Sequence, residues 1–242
     1  MNNITQPTQP GQPGLMVINK SDGKKYTIRN DRRRYFFPNE WENFINTVTN
    51  KKHKFFFITL LFTGGRIMEA LHIKYEDIDP EREIIILRIT KQRKAKKDYS
   101  ASGKTRSFFI ASNFFKEYKS FLRGKSFKLT DYIFLNNSTI PANYSSLKNS
   151  EKKKYYQSTA VSYSKLLKRK LQKAGIEDYY NFSPHNIRKT YGMWMRTFNF
   201  EMGELCYRMG HDMDTYITHY GSSLIFTESE RRNIVKILGD VK

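Results

Sequence analysis

The chain has 242 residues, enough for one large domain or one domain with an arm, and a formal net charge of +20 from 43 Lys and Arg against 23 Asp and Glu. At 38 % hydrophobic and 15 % aromatic it can fill a core, which excludes a disordered polycation. The single cysteine, Cys206, excludes a disulfide framework or a multi-cysteine metal site and suits a reducing compartment. No apolar run approaches the roughly 18 residues needed to cross a bilayer. A soluble cytoplasmic protein is expected, its field directed at a polyanion, with nucleic acid as the default partner.

Residues 1–14 are rich in Gln, Pro, Gly and Thr and read as a disordered arm. Residues 15–36 add the basic cluster Arg32, Arg33 and Arg34, either a solvated charge run or an arm along a phosphate backbone. Organised structure is expected from Pro38, with Asn39 as N-cap, Glu42 three residues on, and Trp41, Phe44, Ile45 and Val48 on one helical face. An apolar segment, 55–62, stops at Thr63-Gly64-Gly65, and a short helix begins around Arg66 and runs through Met68 and Leu71. The β-branched run 84–89 reads as a buried strand and 105–110 as its hairpin partner. The tip between them carries Lys91, Arg93, Lys94, Lys96, Lys97 and Lys104.

Beyond Ser112 the pattern is helical. Phe114, Phe115, Tyr118, Phe121 and Leu122 make one stripe, and 148–154 reads as a basic loop. A helix over 161–174 is closed by Gly175. Ser183 and Pro184 open another, with Ile187, Tyr191, Trp194 and Phe198 on its buried face. Residues 205–209 form a shorter helix, and Thr227 with Glu230 caps a terminal one bearing Ile234, Ile237 and Leu238. The expected fold is mostly α with a small antiparallel sheet: an arm over 1–37, one domain over 38–223, and a helical tail over 224–242.

Four segments carry groups suited to phosphate chemistry. Arg66 follows a glycine turn at a helix start, where backbone N–H groups and a guanidinium fork both suit an anion; an ordinary helix-opening arginine is the plainer reading. His185 and Arg188, three apart, share a helix face expected to be open to a ligand, although such pairs often lie idle on surfaces. Met209-Gly210-His211 is followed nine residues on by Tyr220, and nearby cations would favour its phenolate as a nucleophile. Among 16 tyrosines, Tyr216, Tyr155 and Tyr156 are the rival choices. The lysines of the hairpin tip suit sequence-independent phosphate contacts, with one of them a candidate proton donor.

Five short motifs occur in one order: Thr-Gly-Gly-Arg-Ile-x-Glu-Ala-Leu, then Tyr75 to Asp79, then Lys-Ala-Gly-Ile from Lys173, then Pro-His-x-x-Arg-Lys-Thr, then Met-Gly-His with its later tyrosine. Together they resemble the catalytic domain of the tyrosine recombinase (phage integrase) family over about residues 38–223. The resemblance implies that Arg66 and Arg188 clamp a scissile phosphate, His185 assists deprotonation, His211 hydrogen-bonds a phosphate oxygen, and Tyr220 attacks. Lys91 is then the general acid, with Lys104 as the alternative, because the turn bearing them is long for the family.

It further implies double-stranded DNA as substrate and a synaptic dimer or tetramer of the chain itself, with no membrane partner, metal or cofactor. Arg32, Arg33, Arg34, Arg93, Lys94, Lys96, Lys97, Lys104 and Lys189 are the expected DNA contacts. The terminal helix is expected to pack in cis off DNA and to exchange between copies on it. Two rival readings remain: type IB topoisomerase-like relaxation and a catalytically silent DNA-binding regulator.

Overall fold

The run from Phe55 to Thr63 has no polar face, so a helix built from it must be enclosed on every side. In the computed structural model, which describes residues 16–18, 25–27, 35–88, 105–135, 139–176, 179–220 and 226–240, this helix is the centre of the body. Every residue of α2 (Lys51–Thr63) from Phe55 onward is buried. Its two threonines satisfy their hydroxyls one turn back, on the carbonyls of Phe55 and Thr59. Gly64 ends the helix at φ +57°, and a Cβ there would lie 2.3 Å from the Tyr191 ring, so only glycine fits.

Around α2 pack α4 (Asn113–Leu122) and α6 (Pro184–Arg196), while Phe44 of α1 (Pro38–Asn46) meets Phe57 edge-on at 5.1 Å. Helix α5 (Asn149–Lys173) runs past both α1 and the short α3 (Ile67–Leu71), its Tyr163 stacked on Phe56. Strands β3 (Ile78–Asp79), β4 (Ile84–Arg88) and β5 (Thr105–Phe109) form an antiparallel sheet in that order. The register pairs Leu87 with Arg106 and Ile85 with Phe108. A separate antiparallel pair joins β1 (Met16–Ile18) to β2 (Lys25–Thr27), inside the segment expected to be an arm.

Four expectations need correction. The cap of helix α1 is Phe37, two residues before the expected Asn39: Pro38 takes the first helical position, where a missing N–H costs nothing, and Glu40 rather than Glu42 accepts from the backbone N–H of Phe37. The packed body reaches back to Tyr35, since Phe36 is fully buried, with its N–H on Thr190 Oγ1 and its carbonyl accepting from Trp194 Nε1. Residues 148–154 are not a loop but the N-cap and first turns of α5. Lys148 N–H donates to Glu151 Oε2, and lysines on a solvated helix face lack the apolar spacing that would have marked them. Residues 213–220, given no helix from sequence, form α8 (Met213–Tyr220), which follows α7 (Met202–Met209).

The terminal helix α9 (Glu228–Leu238) is capped by Thr227 and Glu230 and lies against α1 and α4 of its own chain. It buries Ile234 and Leu238, and Asn113 donates to its last carbonyls, those of Lys236 and Ile237. Phe226, just before it, sits edge-on to Tyr35 and Phe37.

Candidate active site

Arg66 caps α3 immediately beyond the Gly64-Gly65 turn, which puts its side chain at the C-terminal end of α2. Its N–H and one arm of its guanidinium both donate to the Glu69 carboxylate at 2.9 Å, and the other arm donates to the Gly210 carbonyl at 3.2 Å. Glu69 has no exposed surface and takes a third donor, Arg106 Nη2 at 2.7 Å. The chain supplies Arg106 from an inward position of β5, where the strand alternation would ordinarily place an apolar residue.

Arg188 lies one turn into α6 and is 1 % exposed. It donates to the Gly64 carbonyl at 2.6 Å and to the Met209 carbonyl, and its Nη2 stands 2.8 Å from His211 Nε2. A guanidinium can only donate, so Nε2 must accept and the neutral ring carries its proton on Nδ1. One side chain thereby fastens the end of α2, the end of α7 and the imidazole that follows. Gly210 caps α7 at φ +61°, turning the chain so that His211 N–H reaches the Cys206 carbonyl.

Burial, and then the charges of Arg188, Arg66 and His185, depress the His211 ring to a pKa of about 3, with Asp212 opposing. His211 is therefore a neutral imidazole at physiological pH. His185 occupies the second position of α6, exposed, where the helix N-terminus adds positive potential. Arg66, Arg188 and His211 thus lie together about the Gly210 turn, with His185 near enough for its charge to act on the His211 ring.

The shared open face expected for His185 and Arg188 is absent. Helix α6 is enclosed from Asn186 to Met195, so Arg188 forms the floor of the site and His185 its rim. For the same reason Lys189, expected to contact DNA, is 6 % exposed and is not a surface cation in this structure.

The competing tyrosines are accounted for. Tyr216 is wholly buried and donates to the Gly192 carbonyl. Tyr155 and Tyr156 belong to an aromatic group about Tyr144 and His72. Tyr220 is the last residue of α8, two helical turns beyond the His211 turn; its backbone position alone is described. Lys91, Arg93, Lys94, Lys96, Lys97 and Lys104 lie outside the described residues, as do Arg32, Arg33 and Arg34. Glu69 and Arg106 carry no assignment from sequence, although Glu69 stands at capping-box distance from Arg66 and Arg106 breaks the inward alternation of β5.

Cationic and neutral donors gathered at one spot suit an oxyanion such as a phosphodiester. Among the described residues no group of three or more His, Cys, Asp or Glu is placed to hold a metal ion, and no helix is long and apolar enough to cross a membrane.

The fold is shared with solved DNA-acting enzymes of low sequence identity. XerA recombinase matches with a TM-score of 0.55 at 19 % identity, over 86 % of this chain and 66 % of that one. The Tn1549 transposon integrase, solved with a circular-intermediate DNA, matches at 0.55 and 18 % identity, over 86 % and 68 %. The integrase of mycobacterium phage Brujita gives 0.52 and 14 %, over 90 % and 62 %. The chain thus spans about two thirds or less of the length of these proteins. No curated protein sequence matches it. The model of the phage integrase family matches residues 34–224, taking in every motif and all four of these side chains. The chain belongs to the phage integrase family, and its fold is that of a tyrosine recombinase catalytic domain.

Proposed function

We propose that this protein breaks and rejoins DNA at specific sites through a covalent 3′-phosphotyrosine, as the integrase, recombinase or transposase of a mobile element. The observation that carries the reading is the grouping of Arg66, Arg188 and His211 about the Gly210 turn, with His185 near enough for its charge to act on the His211 ring and the helix that ends at Tyr220 beginning two residues after His211. The DNA held by the related transposon integrase and the +20 charge support duplex DNA as the substrate.

In the reaction the Tyr220 oxygen attacks phosphorus in line, its proton passing towards His185. The bond from phosphorus to the 5′ oxygen breaks, and that oxygen leaves as a hydroxyl after taking a proton from Lys91, or from Lys104 in the alternative assignment. A 5′ hydroxyl of another strand then reverses the step, so the ester conserves the bond and neither ATP nor a metal is consumed. Arg66, Arg188 and His211 stabilise charge on the phosphoryl oxygens, each such donor contributing roughly 3–4 kcal/mol in comparable oxyanion sites. Exchange takes place in a dimer or tetramer on cytoplasmic DNA, with α9 released from its own α1 and α4 to dock on a neighbouring copy.

A nicked suicide substrate tests the reading. Wild-type protein should become trapped on the DNA, whereas Tyr220→Phe should bind with little change in affinity and form no adduct. Adducts that survive Tyr220→Phe would overturn the assignment, and a wild-type protein that binds without trapping would indicate a silent regulator. Relaxation of supercoiled DNA lacking paired sites would instead indicate topoisomerase-like action.

A further inference from the structure

Strand β5 alternates exposed and buried residues, and its two inward side chains are Phe108 and Arg106. Arg106 is 3 % exposed, faces Leu87 across the strand pair, and donates through Nη2 to Glu69, which has no exposed surface. Its other terminal nitrogen fills the space that a side chain on Gly210 would need, 1.8 Å from where a Cβ would stand. The two arms of one guanidinium therefore rest on the two pieces of chain that locate the site. Glu69 aims Arg66 by accepting from both its N–H and its guanidinium. The Gly210 turn accepts from Arg66 and leads directly into His211.

A buried ion pair is a poor source of stability, since well-packed apolar residues of the same volume often serve as well or better. At an inward strand position between apolar neighbours, leucine or methionine would satisfy the core. What an apolar residue lacks is a rigid fork that fixes a carboxylate and a glycine turn at once. We propose that Arg106 is a positioning residue: through Glu69 and the Gly210 turn it holds Arg66 and His211 in the arrangement that receives the phosphodiester. Arg106 does not touch the reacting atoms. The assignment rests on the reading of the site as a DNA-cleaving one, and it adds a dependence of that site on the strand that closes the basic hairpin.

Two variants and two readouts test it. Arg106→Gln removes the charge; Arg106→Lys keeps the charge but loses the fork. At a temperature where each variant is folded by circular dichroism, adduct formation on the nicked substrate should fall about 50-fold or more for Arg106→Gln and about tenfold for Arg106→Lys. DNA affinity should stay within about threefold of wild type. In DNA-free protein, the His211 ring followed by NMR should titrate closer to an ordinary histidine in both variants, because the turn is no longer held against Arg66 and Arg188.

Arg106→Lys that cleaves at the wild-type rate with an unmoved His211 titration would overturn the proposal, as would a loss of cleavage no larger than the loss of folded protein. If wild-type protein forms no adduct, the functional reading fails, while the His211 titration still decides whether Arg106 holds the turn.

Discussion

His211 and Arg188 act as a unit whose protonation is set by packing. The folded ring takes a proton only near pH 3, held down by burial and then by Arg188, Arg66 and His185, whereas a histidine in the unfolded chain takes one near 6.5. Between those values the unfolded state binds more protons, so this group's contribution to stability is present above about pH 6.5 and is lost as the pH falls. In His211→Asn that contribution is gone, and the melting temperature should drop less than that of wild type between pH 7 and pH 4. Equal slopes would show that the ring is not held neutral by its neighbours.

At Arg188 a lysine keeps the charge but cannot reach the Gly64 and Met209 carbonyls and His211 together. Arg188→Lys should therefore slow adduct formation about 100- to 1,000-fold, in line with other lost oxyanion donors, with DNA affinity little changed. These side chains were legible from their motifs. Arg106 was not, because an isolated arginine in a five-residue strand looks like a surface residue until the sheet register turns it inward.

Among the elements, glycine and capping residues made boundaries legible where they act: Gly64 and Gly175 sit at positive φ beyond α2 and α5, and Thr227 with Glu230 opens α9. Residues 148–154 misled because a polar helix start and a polar loop have the same composition. The short α8 does carry a helical stripe, Met213, Tyr216, Ile217 and Tyr220 at i, i+3, i+4 and i+7, but eight residues make only about two turns, and of that stripe Met213 and Ile217 are exposed while Tyr216 is buried. Helix α9 binds its own chain through Ile234 and Leu238, both with no exposed surface. Ile234→Ala should cost about 2–5 kcal/mol, the usual range for emptying such a site, measured by denaturant unfolding. A cost near zero would mean that α9 is not seated on α1 and α4 in solution. Deleting residues 226–242 should impair assembly on DNA more than DNA affinity, as judged by gel-shift stoichiometry.

For the whole molecule, the net charge of +20 makes binding to DNA an exchange of counterions. If 6–10 phosphates are neutralised, affinity should fall about 10³- to 10⁵-fold between 50 and 200 mM salt. A shallow salt slope would mean that the positive field is not spent on the phosphate backbone. Charge by itself does not separate binding from cutting; the covalent bond does. The most direct test is therefore to trap the protein on a nicked duplex, digest it, and sequence the nucleotide-bearing peptide by mass spectrometry. The result expected is a 3′-phosphate ester on Tyr220 with a free 5′ hydroxyl on the released strand. A 5′ linkage, a different attachment residue, or noncovalent binding alone would contradict the account.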